Sequence, residues 1–374
     1  MMPFLTEDFG NASSAHWYGR RARAALDDAH ERLAAGLHGE ARELVFTSGG
    51  TEANNLALKG AAWAGRARGH RIVTTAVEHH AVQHTLRYLE KFGFEVLELP
   101  VDRYGRVDPD AVESAITDKT ILVSVMLANN EVGTIQPIVE IADRVRRHRG
   151  ILFHVDAVQA APFVDLDVRE LGADLLTVAA HKFEGPKGVG ALWIRHGTHL
   201  LAQQQGGSQE RHRRAGTENV AGAVGMAAAY ELSCAERPAT ARRVARLRQH
   251  LQGAVLAVPG TELTGHPTSR LPGLLSIIAR DVDGSAVALA LDLAGLACSI
   301  GSACATGSSD VSHVLTAMGY PEDEARGALR LSLGRTTSAV EIDRAVELVP
   351  GVIARLRDAS MALKGDLLGE GVRV

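Results

Sequence analysis

Between about residue 40 and residue 200 the chain alternates short β-branched runs with helical patterns. That alternation narrows the fold more than any other feature. ELVFTS, RIVTTA, FEVLEL, TILVSVML, ILFHVD, DLLTVAA and GALWIR read as strands. Helical patterns lie between several of them, at Glu52 to Ala62, Ala81 to Phe92 and Ile138 to Arg147. Such a rhythm predicts βαβ units and an α/β fold with a mostly parallel central sheet, whose ligands bind beyond the carboxyl ends of the strands. Polar residues recur at those ends, which a buried core without a site does not explain.

After about Pro238 the texture changes. A helical pattern from Thr240 to Val255 leads to the strand LLSIIA and a helix near Ser285 to Leu293. A Gly/Ser/Ala stretch then surrounds Cys304, followed by the strand ALRLSLG and a last helix from about Ala339 to Ala359. Two domains are expected: a large one over 1–237 and a smaller α+β one over 238–374. The 374 residues, 46% of them hydrophobic, suffice for a large core. A net charge of −4 argues against a protein built to bind nucleic acid. The cluster RVRRHRG closes a predicted helix, where it complements the dipole. No apolar run is long enough to span a bilayer, and MMPFLTEDFG lacks the pattern of a secretory signal. The three cysteines, Cys234, Cys298 and Cys304, are too few for a disulfide scaffold and suit a reducing cytoplasm.

Three features converge on one sheet edge. SGGTEANN, Ser48 to Asn55, follows a strand and opens a helix. Gly50, Thr51 and their small neighbours would let backbone N–H groups approach an anion, although the same pattern serves as an ordinary helix cap. Asp156 ends the strand ILFHVD, with Gln159 three residues on. A carboxylate there could bind a metal, orient a histidine or pair with a protonated ring nitrogen. Lys182, in AAHKFEGPKGVGALW, lies between an apolar strand and a Gly/Pro-rich turn. Partial shielding there would lower its pKa and favour imine chemistry, whereas a lone lysine is otherwise a solvated one. Pyridoxal phosphate needs an anion cradle, a carboxylate for its ring nitrogen and an imine-forming lysine.

At these residues the sequence resembles a cysteine desulfurase of the class V aminotransferase family. The resemblance runs from FGNASSAHWYGRRAR to SLGRTTSAVEID through SGGTEANNLAL, EHHAV, NNEVGTIQPI, HVDAVQA, AHKFEGPKGVGALW, GGSQERHRRAGTENVAG and GSAC. It implies the type I fold of pyridoxal-phosphate-dependent transferases, with L-cysteine converted to L-alanine and the sulfur left as a persulfide on Cys304. Lys182 would carry the cofactor and Asp156 would face its ring nitrogen. His79 would stack on the ring and relay protons, and Gln159 would bond the ring oxygen. Thr51 and His181 would hold the phosphate, with Thr217 reaching the phosphate of the other subunit in a homodimer. Asn130 would lie near ring and substrate, and Arg330 would take the substrate carboxylate. The long spacing after Cys304 resembles the group that hands sulfur to an acceptor or scaffold protein for iron–sulfur cluster assembly.

The residues themselves leave duller roles open. His181 could cap a loop, Asn130 could be a turn residue, and Arg330 could meet a structural carboxylate instead of a substrate. His79 and His80 beside Glu78 lack the H-E-x-x-H spacing, so no metal is expected. Cys234 and Cys298 lie in apolar contexts and read as core residues. Cys304 lies in SIGSACATGSSDVSH, without hydrophobic periodicity, and is the candidate nucleophile.

The sequence departs from the family pattern at three places. A strand-bearing segment with an L-D-x-x-A-T-T-like motif is expected ahead of FGNASS and is absent from the chain as it starts here. Ala12 replaces a proline. Ala179 stands where a phosphate-binding serine is usual, a loss of about 1.5–3 kcal/mol of cofactor affinity if nothing substitutes. The rival readings are a selenocysteine lyase, another class V enzyme, or a catalytically idle sulfur-trafficking partner.

Overall fold

The computed structural model describes residues 1–301 and 311–369, with side chains described through residue 362. Two compact units emerge. The first comprises residues 1–100, 107–128 and 136–237; the second comprises 101–106, 129–135 and 238–374.

The first unit is built on a seven-stranded sheet. Its strands are β1 (Leu44–Thr47), β2 (Arg71–Thr75), β3 (Glu95–Leu99), β4 (Thr120–Met126), β5 (Leu152–Asp156), β6 (Leu175–Ala179) and β7 (Gly190–Ile194), in the order β1-β7-β6-β5-β4-β2-β3. Only β7 runs against the others, pairing antiparallel with both β1 and β6. The seven runs read as strands are these seven. Every residue of β4 and β6 is buried, as expected where helices cover both faces of a parallel sheet.

Helix Gly50–Gly65 shows how sequence sets this packing. Ala53, Ala57, Gly60, Ala61 and Ala62 keep its inner face thin, and all five are buried. A Cβ added at Gly65 would sit 3.2 Å from Ile121 Cβ, so the helix lies close on the sheet. Leu56 and Leu58 fill the core with Val45, Ile72, Leu122 and Leu192.

A polar row crosses this core. His154 of β5 meets Ser124 Oγ of β4 at 2.9 Å and Thr177 Oγ1 of β6 at 3.1 Å. Glu78, just after β2, accepts hydrogen bonds from Thr75 Oγ1 at 2.7 Å and Met126 N at 3.0 Å. Burial dominates both groups: it pushes the Glu78 carboxyl up to about 8 and the His154 imidazole down to about 3.

The second unit holds the antiparallel sheet β10-β9-β8, formed by β8 (Thr261–Leu263), β9 (Leu274–Ala279) and β10 (Ala328–Ser332). Val287 and Leu291 of helix Gly284–Leu293, and Val349, Val352 and Ile353 of helix Ala339–Gly369, are buried in it. The segment after β4 joins this unit through Ile135 N to Ser269 O (2.9 Å) and Leu271 N to Gly133 O (2.8 Å). The boundary at Pro238 falls inside one helix, Val220–Leu256, where the sequence reading had a helix beginning only at Thr240. Proline removes one intrahelical donor, and here the helix continues through it. Among the described residues, no helix is long and apolar enough to cross a membrane.

The two buried titrating groups predict a pH dependence. Native Glu78 keeps its proton up to about pH 8 while an unfolded chain releases it near 4.5, so stability falls as pH rises through that window. His154 stays neutral in the native state down to about pH 3, whereas an unfolded chain protonates it near 6.5. Stability therefore also falls as pH drops below that value. Glu78→Gln keeps an oxygen for Thr75 and Met126 and removes the first slope. Its Tm is expected to decline less than that of the wild type between pH 6.5 and 8; equal declines would show that Glu78 is not buried neutral.

Candidate active site

The carboxyl ends of β1, β2, β5 and β6 lie on one edge of the sheet, and each delivers a polar side chain. From β5 comes Asp156, 5% exposed. Asn54 Nδ2 donates to Asp156 Oδ2 at 2.7 Å and Val158 N donates to Oδ1 at 3.0 Å. Two donors hold a carboxylate in a buried place, each worth about 1.5–3 kcal/mol to a charged acceptor. Asn54 is itself buried on helix Gly50–Gly65, so the thin face of that helix is what lets its amide reach the strand end.

The β1 end carries the candidate cradle. Gly49 has φ of +155°, open to space a side chain would fill: nothing lies within 4 Å of where its Cβ would be. Gly190, the first residue of β7, must also lack a side chain, since a Cβ there would lie 2.7 Å from Gly49 Cα. Gly50 and Thr51 then open the helix, with Thr51 exposed and its N-terminal partial charge available to an anion. Glu52 ties two further pieces to this end: Ser48 N donates to it at 2.7 Å and Arg214 Nε at 2.8 Å. Arg214 belongs to the same loop as Thr217, which is exposed. That loop passes through three left-handed non-glycine residues, Glu210, Arg211 and His212. Its anchor is the buried Glu210 carboxylate, 3.0 Å from His30 Nε2 and accepting Phe46 N at 3.1 Å.

His79 follows β2 and caps helix His80–Glu90, its Nδ1 accepting Ala81 N at 3.0 Å. A neutral ring in that bond carries its proton on Nε2. His79 and Thr51 line one cavity of about 390 Å³ with Asn55, Lys59, His80, His84, Thr85 and Tyr88. From β6 a 3₁₀ turn, Ala180–Phe183, carries His181 and Lys182. Partial desolvation, then Lys182 and Lys187, lower the pKa of His181. Lys182 is exposed, so the shielding read from its apolar flanks is not found: the chain is buried from Leu175 to Ala180, and the turn lifts the lysine clear of that stretch. Gln159 is half-buried, and its Oε1 is enclosed with no hydrogen-bond partner among the described residues.

Asn130 and Arg330 belong to the second unit. Arg330 Nη1 donates to the Asn130 carbonyl at 2.8 Å. Cys304 lies outside the described residues. Cys234 and Cys298, read as core residues, are half-buried. Burial, reinforced by Asp292, pushes the Cys298 thiol up to about 11. Burial also raises the Cys234 thiol, outweighing Arg237, whose Nη2 lies 3.1 Å from the sulfur.

Sequence reading missed Asn54, Glu78 and His154. A signal for Asn54 was present, since one amide inside an Ala/Leu stripe at helical spacing requires a buried partner.

The Aminotransferase class-V family model matches residues 1–345, and the chain belongs to that family. Within it the relatives are cysteine desulfurases. The chain is 48% identical over 360 residues to the cysteine desulfurase IscS of Methanosarcina thermophila, covering 96% of this chain and 89% of the relative. It is 43% identical over 361 residues to a cysteine desulfurase of Nostoc sp., covering 96% and 90%. Among solved structures a NifS-like protein aligns with a TM-score of 0.89 at 36% identity over 95% of this chain and 94% of that one. SspA in complex with cysteine aligns with a TM-score of 0.79 at 32% identity over 90% and 94%.

Enzymes of this family use pyridoxal phosphate, and the residues present fit it. The open space at Gly49 and the held carboxylate of Asp156 would suit an anion cradle and a charge for the ring nitrogen, and the amide N–H of Gln159 would be the group able to donate to the ring oxygen. Ala179 is buried at the end of β6, its Cβ 3.4 Å from where a Cβ on Gly50 would lie. A serine hydroxyl placed there would face the cradle. Ala179→Ser is therefore expected to tighten cofactor binding by roughly tenfold to a hundredfold, the equivalent of one hydrogen bond to a charged group. Equilibrium dialysis measures this; an unchanged Kd would mean that position 179 does not face the anion.

Proposed function

We propose that the chain is a pyridoxal-phosphate enzyme that converts L-cysteine to L-alanine and leaves the sulfur as a persulfide on Cys304. The observation that carries this reading is the buried Asp156 carboxylate, held by Asn54 and Val158 beside the strand that delivers Lys182. When bound, pyridoxal phosphate supplies an electron sink for the pair left at the substrate Cα.

The chain supplies the rest. Asp156 offers its remaining lone pairs to a protonated ring nitrogen and keeps that proton in place. Lys182 Nζ would hold the cofactor and then move the proton at the substrate Cα, from its exposed position on the 3₁₀ turn. His79, oriented by its bond to Ala81 N, presents its ring to the cofactor. Thr51 and His181 bind the phosphate, Gln159 the ring oxygen, and Arg330 the substrate carboxylate with Asn130 beside it.

In the sulfur step the Cys304 thiolate forms a bond to the substrate sulfur as the carbon–sulfur bond breaks. The electron pair returns to carbon, which takes up a proton. Cysteine plus thiol thus gives alanine plus persulfide, and no outside oxidant is required. The elevated thiol pKa values of Cys234 and Cys298 support this assignment, since a protonated thiol is a poor nucleophile. By the same reading the enzyme is a cytoplasmic homodimer in which Thr217 reaches the partner's cofactor, and it passes sulfur to an acceptor protein for iron–sulfur cluster assembly or thiolation.

Absorbance and product assays test the proposal together. L-Cysteine is expected to shift the cofactor band of the wild type and to yield alanine and, with a thiol reductant, sulfide. Cys304→Ala is expected to keep the spectral shift while alanine formation falls by at least about a hundredfold, as for loss of a nucleophile. Full alanine production by that variant would remove Cys304 from the mechanism.

A further inference from the structure

Strand β1 ends the seven-stranded sheet, and the loop 204–216 of the same unit covers its open side. The loop is closed at its neck: Gln204 Nε2 donates to Ala215 O at 2.8 Å, and Gly216 N donates to Gln209 Oε1 at 3.1 Å. Between these ties Glu210, Arg211 and His212 have φ of +44°, +57° and +62°. Residues with side chains avoid that region, and three in a row keep it only where something holds them there.

What holds them is buried. Glu210, 7% exposed, brings Oε2 to 3.1 Å from Phe46 N of β1 and 3.0 Å from Nε2 of His30, which is 2% exposed. His30 Nδ1 lies 2.8 Å from Leu26 O. A carbonyl only accepts, so Nδ1 carries a proton. A bare Nε2 would then set its lone pair against a carboxylate oxygen. One further proton therefore lies between His30 and Glu210 and joins the loop to helix Trp17–Gly36.

The far side of the loop reaches the anion cradle. Arg214 donates to Glu52 through Nε at 2.8 Å and Nη2 at 3.3 Å, and Glu52 Oε2 also takes Ser48 N at 2.7 Å. Glu52 lies in the first turn of helix Gly50–Gly65, where its charge would oppose an anion at the same helix end unless a cation met it. We propose that His30 is a positioning residue for cofactor binding: the proton it shares with Glu210 keeps the strained loop closed and Arg214 on Glu52. The inference rests on the cofactor reading above and extends it to a residue remote from the cradle.

The test follows tryptic cleavage after Arg211, Arg213 and Arg214 in the holoenzyme, together with the cofactor Kd from equilibrium dialysis. His30→Asn keeps a donor for Leu26 O but is too short for Glu210. It is expected to speed cleavage about tenfold or more, as for loss of one charge-assisted hydrogen bond, and to raise the Kd about tenfold. His30→Gln reaches Glu210 with an N–H, and Glu210→Gln offers His30 an N–H while its oxygen keeps Phe46 N; both should stay within about threefold of the wild type on both readouts. Glu210→Asn breaks the contact from the loop side, guards against a His30→Asn protein that fails to fold, and should behave like it. Wild-type cleavage in both Asn variants would overturn the proposal. So would His30→Gln as open as His30→Asn, which would make the residue a packing strut, or a loop that opens with the Kd unchanged. A wild type that binds no pyridoxal phosphate would instead remove the cofactor reading, while the cleavage pattern would still decide whether His30 latches the loop.

Discussion

The hydrogen bond from Asn54 to Asp156 joins the two halves of the candidate cofactor site. One partner ends a strand in the middle of the sheet and the other rides on the helix whose first turn forms the anion cradle. The bond exists because Ala53, Ala57, Gly60 and Gly65 let that helix lie against the sheet, and because Gly190 leaves room for Gly49 at its start. A buried carboxylate is costly unless its oxygens are occupied, and here both are, with lone pairs left for a ring nitrogen. The distance between cradle and carboxylate is therefore set by core packing, not by a loop.

The surrounding core is tuned to stay uncharged. His154 sits between two hydroxyls and is driven toward the neutral form, as is the Glu78 carboxyl two strands away. Asp156 itself adds to the rise at Glu78. In the proposed mechanism, neutral neighbours would leave the Asp156 carboxylate as the charge offered to the ring nitrogen.

Much of this was legible in the sequence. Alternation of β-branched runs with helical patterns identified all seven strands, and the strand-end rule put Gly50, Asp156 and Lys182 on one edge. What the sequence did not reveal is set by contacts between distant segments. Asn54 and Asp156 are 102 residues apart, and nothing local to either names the other. The exposure of Lys182 depends on a 3₁₀ turn that propensity does not announce, and the carbonyl at Arg330 belongs to a turn 200 residues earlier.

The central claim is that the strand-end geometry commits one lysine, Lys182, to the cofactor. Borohydride reduction of the holoenzyme fixes the cofactor onto whichever amine holds it, and peptide mass spectrometry then locates the label. The account predicts the label on the peptide containing Lys182 and its loss in Lys182→Ala. A label on Lys187 or Lys59, with Lys182 unmodified, would contradict it.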